Sequence, residues 1–249
     1  MLSYITNNPK PFITAFIILI SLYFLYRFLK SRTTFYHSKQ YWEARYEWFP
    51  QKMEWYTNFA QIDTDFSVSE IILSNFQEAK SKSFILEMGC GNSNLSIDMY
   101  KAGFKHIVAI DFSSVVIKEM IKNLSEKMKV KFEVCDFNLM DQYFEKGLFD
   151  VVIEKAGLDS IATKKSGDVP ELLYKVYKNI YYVLSKGGIM LSMSNQNADF
   201  WKKAVFNRLE REKMFKLVEC KKTTFVNAKN PIRMNLYFYY LKKTEQENN

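Results

Sequence analysis

The sequence predicts an open α/β fold, a doubly wound and mostly parallel sheet covered on both faces by helices. Three observations point there. Strand-length apolar runs alternate with segments of helical spacing along most of the chain. One run, 84–88, passes directly into the turn Gly89-Cys90-Gly91 and then into Leu95, Met99 and Ala102 at helical intervals. A second run, 106–110, ends at Asp111, twenty residues after Gly91. That is where open α/β sheets place the acid that holds a ribose.

At 249 residues the chain accommodates one sizeable α/β domain plus an appendage. Its apolar fraction of 48% and charged fraction of 25% are those of a globular protein. The net charge of +8 is unevenly spread: residues 1–42 hold Lys10, Arg27, Lys30, Arg32 and Lys39 and no acid. A basic chain invites a nucleic-acid reading, but this charge flanks an apolar segment, so membrane placement explains it better and no nucleic-acid partner is expected. Cys90, Cys135 and Cys220 are odd in number and far apart, and His37 and His106 are the only histidines. Free thiols and no metal site are expected.

In chain order, the first element is the apolar run 12–29, uncharged until Arg27 and near the minimum length for a membrane-spanning helix. Tyr23 and Tyr26 followed by Arg27, Lys30 and Arg32 resemble an interfacial belt with positive residues beyond it. The positive-inside bias then puts the rest of the chain in the cytosol, behind a single-pass anchor. Nothing in the segment chooses between the endoplasmic reticulum and the mitochondrial outer membrane. The division expected is 1–35 anchor and basic flank, 36–243 catalytic domain, 244–249 disordered tail.

Trp42 and Tyr46, four apart, share one face of a short helix. With Trp55 they either cover a sheet edge or enclose a ligand. Asp65 or Ser67 caps a helix over 68–79. After the glycine turn and Asp111 a helix begins at 112–114 and runs to 127. Strand 130–134 delivers Cys135-Asp136-Phe137 to the same sheet edge, where Asp136 acts on a ligand or as a turn cap. Strand 149–153 delivers Glu154-Lys155 there. Pro170 opens a helix to 184, Gly187-Gly188 leads into strand 189–193, and 215–220 and 235–241 form an antiparallel pair at one edge.

The turn also limits the ligand. Asn94 replaces the third glycine of the dinucleotide fingerprint, and Glu87, two residues before Gly89, would repel a pyrophosphate. S-adenosylmethionine carries a sulfonium and an ammonium and no phosphate, so the same carboxylate favours it. It is the expected cofactor.

These residues together resemble the class I, seven-stranded S-adenosylmethionine-dependent methyltransferases. More narrowly, the chain is similar to the branch that methylates lysines of translation elongation factor 1A. The matching segments are Tyr41-Trp42 with Arg45-Tyr46, Glu54-Trp55-Tyr56, the stretch from Glu87 to Ser93, Ile110 to Ser113, Phe149 to Lys155, Leu158-Asp159 and Val183 to Gly188. The resemblance implies a Rossmann-like sheet of seven strands with an antiparallel edge strand, and a protein substrate of the elongation factor 1A kind. It also implies that Trp42, Tyr46 and Trp55 enclose the cofactor, that Gly89 and Gly91 underlie its methionine part, that Asp111 and Phe112 hold ribose and adenine, that Asp136 and Phe137 flank the adenine, and that Lys155 lines the site. Where the family commonly has Lys-Gly-Thr-Leu-Asp, this chain has Lys155-Ala156-Gly157-Leu158-Asp159. Glu154 and Asp159 are candidates to orient and deprotonate an acceptor amine. A small-molecule or lipid-linked acceptor, and a non-catalytic tethered module, are the alternatives.

Overall fold

The computed structural model describes residues 14, 16, 18–23, 36–76, 80–227 and 230–245. Seven strands form one sheet in the order β3-β2-β1-β4-β5-β7-β6. They are β1 (Phe84–Met88), β2 (His106–Asp111), β3 (Val130–Val134), β4 (Phe149–Lys155), β5 (Leu184–Ser194), β6 (Phe215–Asn227) and β7 (Asn230–Lys243). The pairs β1–β2, β1–β4, β2–β3 and β4–β5 are parallel, and β7 runs antiparallel to both β5 and β6.

Two expectations at this end of the sheet are corrected. The antiparallel strand is not the edge strand: β7 lies between β5 and β6, and β6 forms the edge. Both strands are also longer than their apolar cores, because the hairpin continues past Ser194↔Tyr237, the last β5 partner, and pairs only with itself. Residues such as Lys222 and Thr224, exposed on that extension, need no apolar partner.

The alternation of side chains along the strands divides the core. Ile85, Ile107, Ala109, Val151, Ile153, Ile189 and Leu191 face one way. Leu86, Met88, Ile110, Val152 and Met190 face the other. The first face is covered by α1 (Lys39–Trp48), α2 (Phe59–Phe66), α3 (Val68–Phe76), α4 (Leu95–Lys101) and α5 (Ser114–Asn123). The second is covered mainly by the long helix Val169–Val183, with Pro170 in its first turn, where a missing N–H leaves no bond unmade. Its Leu173, Val176 and Ile180 are fully buried, each contributing about 1.5 to 3 kcal/mol over exposure.

Several predicted ends move. The helix after Asp111 starts at Ser114, with Ser113 extended as its cap residue. Ser67 ends α2 in the left-handed conformation, and Asp63, not Asp65, accepts from the Ser69 N–H at 2.6 Å. Strand β5 starts five residues early, at Leu184.

Among the described residues no helix is long and apolar enough to cross a membrane. The predicted span 12–29 lies mostly outside them; positions 14, 16 and 18–23 are helical and exposed.

Candidate active site

The carboxyl ends of β1, β2 and β4 meet at a cleft of about 150 Å³. Its floor is the turn after β1. Gly89 and Gly91 have φ of +66° and +50°, a region L side chains rarely adopt. A Cβ on Gly91 would stand 2.7 Å from the Tyr46 hydroxyl oxygen, and one on Gly89 3.0 Å from Phe137 Cζ. The cradle therefore exists only because both positions lack a side chain.

Asp111 fixes this turn to the next strand. One carboxylate oxygen accepts from the Gly91 N–H at 3.1 Å and the other from the Ser113 N–H at 2.9 Å. Burial pushes its carboxyl up to about 6, against the pull of those two backbone bonds. Glu87 is 3% exposed, accepts from the Ser96 hydroxyl, and is pushed up to about 7, again chiefly by burial. Among the described residues no ion pair includes Glu87 or Asp111.

The segment between α1 and α2 closes the cleft from above. Trp42 stacks on Tyr46 with centroids 5.6 Å apart and meets Trp55 edge-on at 6.0 Å. Asn92 receives the Met53 N–H at 3.3 Å and donates to the Gln51 carbonyl at 2.9 Å. Glu54 accepts from the Ser93 hydroxyl at 2.8 Å, from the Asn94 N–H, and from Lys155 Nζ at 2.6 Å. The Lys155 side chain is only 4% exposed. Its remaining donors go to the carbonyls of Trp55 at 2.9 Å and Thr57 at 3.0 Å. Its ammonium is thus spent on the covering segment.

Of the residues singled out from sequence, Trp42, Tyr46, Trp55, Glu87, Gly89, Gly91, Asp111, Phe112, Phe137, Lys155 and Asp159 line this cleft. Two do not. Asp136 is exposed and accepts from the Asn138 N–H at 2.8 Å, the turn-cap role. Glu154 lies on the opposite sheet face from Lys155, buried, accepting from Ser192 and from the Leu158 N–H at 3.2 Å. Burial pushes it up to about 8, with Asp159 adding to the rise. The residues that sequence reasoning missed are Glu54, Tyr56, Asn92, Ser93 and Asn195. Glu54 and Tyr56 lie in the Glu54-Trp55-Tyr56 match, and Asn195 follows β5 at the same sheet edge, so position alone could have flagged them.

The donor set suits a cationic adenosyl ligand: two glycines with no room for a Cβ, a buried carboxylate without an ion pair at the strand end, and a second carboxylate at the ribose position. S-adenosylmethionine supplies a methyl group on a sulfonium that carries its own leaving group, so the protein's work is binding and orientation. Trp42, Tyr46, Trp55 and Phe137 would exclude water from it, and Glu87 and Asp111 would take its charge and hydroxyls.

A family model described as "Methyltransferase domain" matches residues 79–239. The eEF1A lysine and N-terminal methyltransferase of Bos taurus is 32% identical over 170 residues, which are 68% of this chain and 23% of that protein. EEF1A lysine methyltransferase 4 of Mus musculus is 28% identical over 173 residues, 66% of this chain and 64% of that one. The chain thus spans about a quarter of the first relative and under two thirds of the second. A SAM-dependent methyltransferase structure from Methanosarcina mazei has the same fold, with a TM-score of 0.53, 16% identity, and coverage of 71% of this chain and 98% of that one. By the model over its sheet and by the cleft built on β1 and β2, the chain belongs to the S-adenosylmethionine-dependent methyltransferases.

Proposed function

We propose that the chain transfers a methyl group to a lysine side chain of a protein, with an elongation factor 1A-like protein as substrate. The observation that carries this reading is the wall of the cleft beyond the glycine turn, formed by Asp159, Ser160, Thr163 and Asn195. It presents a carboxylate and hydroxyls and no cation, which suits an amine and repels an acid. The bovine and mouse relatives, named for methylating eEF1A, support the protein acceptor. Trp42, Tyr46, Trp55, Glu87, Gly89, Gly91, Asp111, Phe112 and Phe137 are the proposed cofactor contacts. Lys155 supports the cofactor site through Glu54. We further propose that the apolar run 12–29 is a single-pass anchor that leaves the enzyme facing the cytosol.

The full chain, incubated with methyl-labelled S-adenosylmethionine and a cell lysate, should place label in protein, recovered as methyl-lysine after hydrolysis. Label confined to extractable small molecules refutes the lysine assignment and favours the small-molecule or lipid-linked acceptor. Retention of the expressed chain in membranes through an alkaline carbonate wash tests the anchor, and release into the supernatant refutes it.

A further inference from the structure

The covering segment does more than close the cofactor site. Thr57 N–H donates back to the Trp55 carbonyl at 2.8 Å, making a turn centred on Tyr56, whose φ is +63°. A tyrosine held in the left-handed region is uncommon and costs of order 1 kcal/mol or more unless its surroundings fix it. Lys155 does so, since its ammonium grips the carbonyls on both sides, Trp55 and Thr57. The turn sends consecutive side chains in different directions. Trp55 joins the aromatic box with Trp42, and Tyr56 donates its hydroxyl to Asp159.

Asp159 is 8% exposed and lines the cleft. Its bonds come from Tyr56, from the Ser194 hydroxyl and from the Asn195 N–H at 3.0 Å, all neutral donors. Asp159 in turn raises the titratable groups packed around it, Glu154 from β4, Tyr177 from the Val169–Val183 helix and Tyr239 from β7. No ion pair includes Asp159 or Glu154 among the described residues. Lys155, the nearest chain neighbour with a positive charge, has its donors engaged by Glu54 and two carbonyls. Glu154, Tyr177 and Tyr239 are all held toward their neutral forms, so Asp159 is the carboxylate that this end of the cleft offers an entering ammonium.

We propose that Asp159 is the acceptor-amine site and proton acceptor of the transferase, and that Tyr56 is its positioning residue. This rests on the lysine reading above. The entering ammonium gives one proton to the Asp159 carboxylate. The freed lone pair then forms the N–C bond while the methyl–sulfur bond breaks and its electron pair leaves with sulfur. The methylated ammonium departs, and Asp159 returns its proton to solvent. Burial raises the Asp159 carboxyl, which suits it to take a proton, while the Tyr56 hydroxyl holds that rise back. Tyr56 itself is pushed upward by burial and by Asp159 and stays a neutral donor at working pH. Because cofactor box and acceptor wall share one turn, seating Trp55 on the cofactor also delivers Tyr56 to Asp159.

The test uses the full chain with methyl-labelled S-adenosylmethionine and a lysine-bearing protein acceptor from the lysate assay. Tyr56→Phe deletes one oxygen and keeps the ring, so it should fold and should bind S-adenosylhomocysteine in calorimetry within about twofold of wild type. Its kcat/KM for the acceptor should fall about 10- to 100-fold, as expected for a lost hydrogen bond to a charged group. The acid limb of its pH profile should move up by about one unit, because Asp159 loses a bond that stabilises its ionised form. Asp159→Asn should lose about 10²-fold or more while keeping S-adenosylhomocysteine affinity. An acid limb unmoved in Tyr56→Phe, with wild type still methylating lysine, overturns this proposal alone. Wild-type label recovered only outside amines overturns the lysine reading and this proposal with it.

Discussion

Glu87 offers the sharpest check on the cofactor site, because its carboxylate is both buried and set where a cationic ligand would rest. Burial raises it to about 7 in the folded protein, above an unperturbed 4.5. If only the ionised form pairs with the cofactor's positive charge, affinity follows the ionised fraction, roughly one tenth at pH 6 and nine tenths at pH 8. The ratio of wild-type to Glu87→Gln affinity for S-adenosylmethionine should therefore rise about ninefold across that interval, with its midpoint near 7. Taking the ratio cancels the titration of the ligand's own amine, which both proteins meet equally. In the cofactor-free protein the sign reverses. A carboxyl raised on folding favours the protonated form, so its share of stability is greatest at low pH and is lost as pH rises from about 4.5 through 7. The full swing is about 3 kcal/mol for a shift of this size, and Glu87→Gln should abolish that part of the slope in thermal unfolding. Calorimetric titrations at five pH values for both proteins suffice. A pH-independent ratio would show that Glu87 faces no cation in the complex.

Three further predictions concern the glycine turn, the Glu54 bridge and Ala156. Gly91→Ala should abolish cofactor binding, because its Cβ would lie 2.7 Å from the Tyr46 oxygen, whereas the double variant with Tyr46→Phe leaves 3.7 Å to Cζ and should recover part of it; calorimetry reads both, and equal loss in the two refutes the steric account. Glu54→Gln removes the anionic partner of a nearly buried ammonium and, discounted for the partial exposure of Glu54, should cost about 1 to 3 kcal/mol. Faster amide exchange over 49–57 would register it, and exchange at the wild-type rate there would contradict the role given to Glu54. Ala156 has φ +68°, so Ala156→Gly removes a left-handed penalty of about 1 to 2 kcal/mol against about 0.5 to 1 kcal/mol of added chain entropy. A slightly higher urea midpoint is expected, and a lower one contradicts the strain.

The parts of the fold legible in sequence are those where two buried faces demand an unbroken apolar run. β1, β2 and β4 each read cleanly for that reason. The far hairpin was legible only at its core, because beyond β5 its strands satisfy each other's backbone and tolerate exposed residues such as Lys222 and Thr224. The glycine turn and Asp111 were legible from spacing, since a cradle without Cβ atoms can be made by few residue types. Glu154 shows what spacing alone leaves out. It adjoins Lys155 in sequence, but alternation along β4 sends the two side chains to opposite faces. Met88 pairs with Glu154 in the register, and both belong to the far side of the sheet. Counting parity from Ile153 would have excluded Glu154 from the cleft. Glu54 escaped for a different reason: its partners Ser93, Asn94 and Lys155 are about 40 to 100 positions away, and no local pattern encodes a tertiary bridge.

That bridge gives the site its organisation. Lys155 ends β4, and its ammonium has a choice of partners at the cleft: the carboxylate Glu87, whose rise on burial the lysine charge partly holds back, or the covering segment. It binds the covering segment through Glu54 and the carbonyls beside Tyr56. Two consequences follow from that one placement. Glu87 is left without an ion pair among the described residues and can meet an incoming cation, while Asp159 is left with neutral donors only. A lysine conserved in type but turned toward Glu87 would cancel the first and release the turn that holds Tyr56, so the same residue type at the same position would give a fold without the site. On the proposed reading, binding a methyl donor and receiving an amine are linked through a side chain that reacts with neither, and the geometry of the Tyr56 turn is where the two halves meet.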